Sequence, residues 1–227
     1  MSAERVWEET TLGQLYESGR KKLEESGVPD AALDARLLLL EAFDLNFASF
    51  LTRRDQPLFK QAIGGEEEIY RLKQAAEQYE QAVLARAERI PLQHLTGCQC
   101  FMGLEFKVNE WVLIPRQDTE TLVERVLEEN RDKNSAILDV CTGSGCIAIS
   151  LVKLGEYRSV TALDISKEAL KVAEANRERI LGEEKERLRL IKSDMFEGLE
   201  PKAQFDVIVS NPPYIPSEVI RGLEPEV

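Results

Sequence analysis

Asn211, Pro212, Pro213 and Tyr214 stand one residue, Ser210, beyond a β-branched run, Val207-Ile208-Val209. Two adjacent prolines donate no backbone hydrogen bond, so they end a strand. The plain reading is a stiff loop. The sharper one is a platform for a flat group. The Asn211 side-chain oxygen and the Pro212 carbonyl can each accept one N–H of a planar NH2. That pairing aims the nitrogen at an electrophile, and the prolines hold the carbonyl at little reorganisation. Tyr214 can stack on the acceptor. Asn211, Pro212 and Tyr214 are therefore candidate catalytic residues, and Asn211, Pro212, Pro213 and Tyr214 candidate substrate-binding residues.

A second constellation begins at Asp139. The loop Cys141-Thr142-Gly143-Ser144-Gly145 joins an apolar strand to a helix. Its glycines allow a tight turn and close approach to a ligand. Twenty-one residues after Gly143, Asp164 ends the next strand, where an acid accepts hydrogen bonds from ribose hydroxyls. Gly143-Ser-Gly145-Cys-Ile-Ala148 fits G-x-G-x-x-A, so a nicotinamide cofactor is one possibility. Asp139 favours another. A carboxylate there repels a pyrophosphate but holds the cationic amino group of S-adenosylmethionine. In "IKSDMF", Asp194 can accept from an adenine amino group, with Met195 or Phe196 against the ring; a helix cap is the plain alternative. Asp139, Cys141, Thr142, Gly143, Ser144, Gly145, Asp164, Asp194, Met195 and Asn211 form the candidate cofactor site. With a positive sulfur as leaving group, in-line displacement at a methyl carbon needs no metal. The cysteines (98, 100, 141 and 146) lack the usual zinc spacings, so no metal is expected.

The elements that must position these residues follow from periodicity. Strands are expected at 136–140, 159–164, 187–192 and 205–210, with helices at 146–154 and 167–181, the latter capped by Ser166. Alternating strands and helices argue for a parallel α/β sheet covered on both faces. The first ninety residues read as a small helical bundle. Thr11 to Gln14 resembles a capping box, Gly27 a stop, Asp30 a cap for the helix bearing Leu37 to Leu40, and 66–88 a long helix. A hairpin is expected with its turn near Val108-Asn109-Glu110. Asp118 is a candidate cap for the helix that follows, with Leu122, Val123, Val126 and Leu127 as its buried stripe.

Composition excludes several classes. The chain has 227 residues, 43% hydrophobic and 31% charged, which suits a globular protein. No apolar stretch approaches the roughly 20 residues that span a bilayer. The start, "MSAERVWEET", has no signal-peptide core, so a cytoplasmic protein without membrane contact is expected. A net charge of −12 disfavours direct binding to nucleic-acid backbones.

"PLQHLTG" at 91–97, "LIPRQDTE" at 113–120, "ILDVCTGSGCIA" at 137–148 and "SNPPYI" at 210–215 together resemble the bacterial release factor glutamine methyltransferase family (HemK/PrmC). The resemblance spans the whole chain. It implies a Rossmann-like class I S-adenosylmethionine-dependent methyltransferase domain behind a helical domain and a β-hairpin linker. The domains would be 1–89, helical and substrate-recognising; 90–115, the hairpin linker; and 116–227, the methyltransferase domain. The implied reaction methylates the side-chain amide nitrogen of glutamine in the Gly-Gly-Gln loop of peptide chain release factors, by a monomer. Adenine or guanine amino methylation on nucleic acid is the enzyme alternative, and a cofactor-binding regulatory module the non-enzyme one. Thr119 and Glu120 match family positions near the cofactor, or simply serve a helix's first turn.

Three departures from the family pattern stand out. Cys141 replaces the loop's usual first glycine, which requires an ordinary backbone torsion there. Gln117 replaces a proline, which would loosen the start of the next helix. Met195 replaces an aromatic. His94 and Trp111 read as packing residues. Class I methyltransferases carry seven strands, three of them after the Asn-Pro-Pro-Tyr loop. Four are counted here, so the chain is expected to be a truncated form, with strand 205–210 lacking a neighbour and loop 211–220 lacking a wall.

Overall fold

The computed structural model describes residues 9–61 and 64–213. They divide between Thr96 and Gly97 into two compact units. No helix among the described residues is long and apolar enough to cross a membrane.

The first unit is helical: α1 (Leu12–Glu25), α2 (Ala31–Ala42), α3 (Phe47–Arg53), α4 (Glu66–Ala87) and the short α5 (Leu92–Thr96). Thr11 and Gln14 form the expected capping box at the start of α1. Gly27, at φ +70, ends that helix: Val28 N–H reaches back to the Leu23 carbonyl and Gly27 N–H to that of Glu24. This is a Schellman closure. Asp30 makes no side-chain cap to α2, against expectation; its ψ of 38° departs from the extended geometry a capping side chain needs. Asn46 caps α3 by accepting from Ser49 N–H. Leu12, Leu23, Leu38, Leu39, Phe50, Tyr79 and Val83 fill the core, each large apolar side chain contributing about 1.5–3 kcal/mol. Gly19 is required there: a Cβ would lie 1.9 Å from the Tyr79 hydroxyl.

The second unit opens with the hairpin β1 (Cys98–Phe101) and β2 (Leu104–Lys107). Its turn is Met102-Gly103, not 108–110. Both turn residues have positive φ, +52 and +73, the requirement of a type I′ turn. The non-glycine Met102 at a left-handed position hid that turn in the sequence. Helix α6 (Gln117–Glu129) follows, then β3 (Ala136–Val140), α7 (Cys146–Gly155), β4 (Ser159–Asp164), α8 (Lys167–Leu181), β5 (Leu188–Lys192) and β6 (Val207–Ser210). Asp118 is not the cap of α6. Arg116 holds that place without a side-chain bond, and Asp118 lies in the first turn, where an acid suits the helix dipole. Gln117 is the first helical residue, so the helix starts there without the proline.

Among the described residues the sheet is parallel, in the order β5-β4-β3-β6. One face packs Ile137, Val160, Ala162 and Val209 against Ile149, Leu151 and Val152 of α7 and Val123 of α6. Leu138, Val140 and Leu163 cluster apart from that core, with Ile191, Leu199 and Phe205 against them. The parallel register brings the ends of β3, β4 and β6 to one edge, with Asp139 beside Val209 and Val140 beside both Leu163 and Ser210. The expectation about loop 211–220 falls mainly on residues from 214 onward, outside those described.

Candidate functional site

The site is built at that carboxyl edge, where open α/β sheets bind ligands. The loop after β3 is fastened at several points. Thr142 N–H donates to the Leu163 carbonyl at 2.9 Å, and Gly145 N–H to the Thr142 carbonyl at 2.9 Å. Gly143 N–H donates to Asp164 Oδ2 at 2.8 Å. Gly143 and Gly145 have φ of +55 and +80, and at Gly145 a Cβ would lie 3.0 Å from Ile149 Cδ1. A Cβ there would also lie 3.3 Å from that of Ala173, so the second glycine serves both the torsion and the close approach of helix α8.

Cys141 does not have an ordinary torsion. Its φ is +63, in the left-handed region that glycine occupies without cost. The cysteine is thus strained where the expectation had it relaxed. Burial, with Asp164 and Asp139 nearby, raises its pKa, so the group is a thiol rather than a thiolate.

Asp139 is fully buried. Its Oδ2 accepts from the Thr142 hydroxyl at 2.6 Å, and its Oδ1 has no hydrogen-bond partner. Burial pushes its pKa up to about 7; the Thr142 hydroxyl and the nearby Ala148 N–H, which closes no hydrogen bond to Oδ1, pull against that, and Asp164 adds to it. A buried carboxylate oxygen left unpaired is costly unless a donor or cation meets it. A cationic ammonium group fits this vacancy of partners, and a pyrophosphate does not.

Asp164 uses both oxygens. Oδ2 holds Gly143, and Oδ1 accepts from Ser166 N–H at 2.9 Å. Each keeps a further lone pair on a half-exposed carboxylate. Ser193 N–H joins the Asp164 carbonyl at 2.9 Å, which ties the start of the Asp194 turn to the end of β4. Asp194, Met195 and Phe196 are exposed there, the last two at 51% each. Met195 has φ +44. The Ser193 hydroxyl orders the turn, donating to the Met195 carbonyl at 2.7 Å and accepting from Gly198 N–H at 2.8 Å.

Asn211 leaves β6 one residue after Ser210, whose hydroxyl donates to the Val140 carbonyl at 2.7 Å. Its Nδ2 donates to Thr119 Oγ1 in α6 at 3.1 Å. Asn211 is half-buried, and Pro212 and Pro213 are exposed. Tyr214 lies outside the described residues. The structure thus brings the glycine loop, Asp139 and Asp164 into one hydrogen-bonded group, and sets Asn211 one position past the strand that flanks β3.

Several residues differ from their sequence reading. Glu120 accepts from Met102 N–H at 2.5 Å, so it fastens the hairpin turn to α6. Trp111 is 56% exposed and is not a packing residue. Asn176 in α8 went unnoticed. It is completely buried, and its amide bonds both Lys107 and Ser144. An asparagine on the buried face with Ala169, Val172 and Ala173 was the available signal.

Comparison with known proteins follows the same division. Residues 117–221 match the Methyltransferase small domain family, and residues 14–97 the PrmC N-terminal domain family. Proteins named release factor glutamine methyltransferase are similar along most of the chain. The one from Koribacter versatilis is 41% identical over 90% of this chain and 68% of its own length. The Bacillus subtilis protein is 38% identical over 95% of this chain and 73% of its own, and that of Geobacter sulfurreducens 37% identical over 98% and 70%. The chain spans about seven-tenths of the length of these relatives. It belongs to the release factor glutamine methyltransferase family.

Proposed function

We propose that this protein transfers a methyl group from S-adenosylmethionine to the side-chain amide nitrogen, N5, of the glutamine in the Gly-Gly-Gln loop of peptide chain release factors. The carrying observation is the Asn211–Thr119 contact. With Nδ2 engaged by Thr119, the Oδ1 of Asn211 is the end left to accept an N–H.

When bound, S-adenosylmethionine supplies an electrophilic methyl group on a positive sulfur. The chain's residues do the rest. Asp139 Oδ1 would meet the cofactor's ammonium group. Asp164 would accept from the ribose hydroxyls, its backbone partners keeping it fixed. Asp194, Met195 and Phe196 would receive the adenine. Asn211 Oδ1 and the Pro212 carbonyl accept the two amide hydrogens of the glutamine, which orients its nitrogen for in-line attack. The bound cofactor would supply the methyl group with its sulfur as the leaving group, and the proton displaced from the nitrogen would pass to solvent. The helical unit recognises the release factor, and the setting is the cytoplasm.

The test offers labelled cofactor with release factor, ribosomal RNA and DNA in parallel. Label on the Gly-Gly-Gln glutamine alone is expected. Label in nucleic acid, or in none of the three, overturns the reading.

A further inference from the structure

We infer that Asn176 is a positioning residue for the cofactor loop, acting through the Ser144 carbonyl. The inference rests on the S-adenosylmethionine reading of that loop.

Asn176 lies on α8 on the buried face it shares with Ala169, Val172 and Ala173, and is fully buried. An apolar residue would satisfy that face. An amide there costs desolvation unless every polar atom is paired. Here each one is. Oδ1 accepts from Lys107 N–H at 2.7 Å. Nδ2 has two hydrogens and two partners, the Lys107 carbonyl at 3.0 Å and the Ser144 carbonyl at 2.9 Å. A buried polar group this completely satisfied specifies one arrangement of what it touches.

What it touches is the peptide unit between the two glycines. The Ser144 carbonyl is held by Asn176, and the N–H of the same peptide, on Gly145, by the Thr142 carbonyl at 2.9 Å. Both ends of that plane are thereby pinned. Peptides flanked by glycines at φ +55 and +80 have wide freedom, so pinning is needed to keep one orientation. The same amide grips Lys107 at the end of the hairpin strand β2, so loop, hairpin and α8 meet at one side chain. Asn176 does not reach Asp139 or Asp164. It acts on the same loop that Asp164 holds at Gly143 N–H, two residues before Gly145.

Without this amide the loop peptide samples other orientations, and cofactor binding must select one of them. Affinity falls by the fraction of competent loop. Transfer from the bound cofactor does not depend on it, because the Asn211 platform is carried by β6 and α6.

The experiment measures calorimetric binding of S-adenosylhomocysteine to wild type, Asn176→Ala and Leu181→Ala. Leu181 is a buried core residue of the same helix, so its truncation destabilises α8 without touching the loop. Denaturation profiles select a temperature at which each is folded. Asn176→Ala is expected to weaken binding about 10- to 100-fold, and Leu181→Ala less than about threefold. In steady state the KM for cofactor should rise, with kcat and the KM for release factor held. Should Asn176→Ala fail to fold, Asn176→Ser carries the same comparison. Equal affinity in wild type and the Asn176 variant, or an equal loss in Leu181→Ala, overturns the positioning role. No binding by wild type overturns the cofactor reading and the inference with it.

Discussion

Asn211 Nδ2 donates to Thr119 Oγ1 at 3.1 Å, joining residues 92 apart in the chain. The contact decides which end of the amide faces the acceptor. Asn211→Ala is expected to slow methyl transfer on the order of 100-fold or more, because it removes a preorganised acceptor. Affinity for S-adenosylhomocysteine should change by less than about threefold. Single-turnover transfer beside calorimetry checks both. Near-normal turnover would remove Asn211 from the chemistry.

Thr119→Val keeps the shape and deletes the hydroxyl. One neutral hydrogen bond contributes about 1 kcal/mol, so a rate loss of about 5- to 10-fold is expected, smaller than that of Asn211→Ala. In the double variant the two losses should not add, since Thr119 acts through Asn211. Full additivity in single-turnover rates would show that the two side chains work separately.

Asp164 serves both the loop and the ligand. Asp164→Ala removes the acceptor for Gly143 N–H, the acceptor for Ser166 N–H and the charge facing the ribose. Charge-assisted hydrogen bonds contribute roughly 1.5–3 kcal/mol, so affinity should fall about 10- to 100-fold or more. Asp164→Asn retains one acceptor oxygen and should fall between wild type and alanine. Calorimetry that finds all three alike would place the ribose elsewhere.

Much of this site was legible because its parts are local. The strand after Ser135, the glycines at 143 and 145 and the acid at 164 are short-range signals, and the sheet register then brings them together without further information. The Ser166 cap and the Thr11 capping box were legible for the same reason. The Met102-Gly103 turn was not, because a methionine seldom adopts positive φ and the apolar pattern runs through it. Asn176 was hidden for a different reason. Its partners, Ser144 and Lys107, lie 32 and 69 residues away, and only the packed helix brings them together. The strain at Cys141 was hidden too, since a side chain does not announce its torsion.

That strain is testable. A left-handed non-glycine residue costs about 1–2 kcal/mol, and glycine loses about 0.5–1 kcal/mol in unfolded-chain entropy. Cys141→Gly should therefore change stability by less than about 1 kcal/mol, on the stabilising side. Cys141→Val should destabilise, because a β-branched residue tolerates φ +63 poorly. Urea denaturation of the two variants checks the order. A valine variant as stable as the glycine one would mean that the loop relaxes out of the left-handed region.

Asp139 should make both stability and cofactor affinity depend on pH, in opposite directions. Its folded pKa is raised to about 7 from an ordinary 3.8, first because burial penalises the anion. Between these values the folded chain holds a proton that the unfolded chain has released. The group's contribution to stability is present in full below about pH 4 and is lost as pH rises through about 7. Asp139→Asn imitates the protonated form and can still accept from the Thr142 hydroxyl. It should melt with wild type near pH 4 and progressively above it as pH rises to about 7, keeping that lead at pH 8. Cofactor affinity runs the other way, because the ammonium group is met by the anion. Wild-type affinity should rise from pH 6 to pH 8, by up to about tenfold per unit while the free enzyme is still protonated. The asparagine variant should bind more weakly at pH 8, with little slope. Thermal melts across pH 4 to 8 and calorimetry across pH 6 to 8 read both trends. A wild-type affinity independent of pH over that range would show that Asp139 does not face the cofactor's charge.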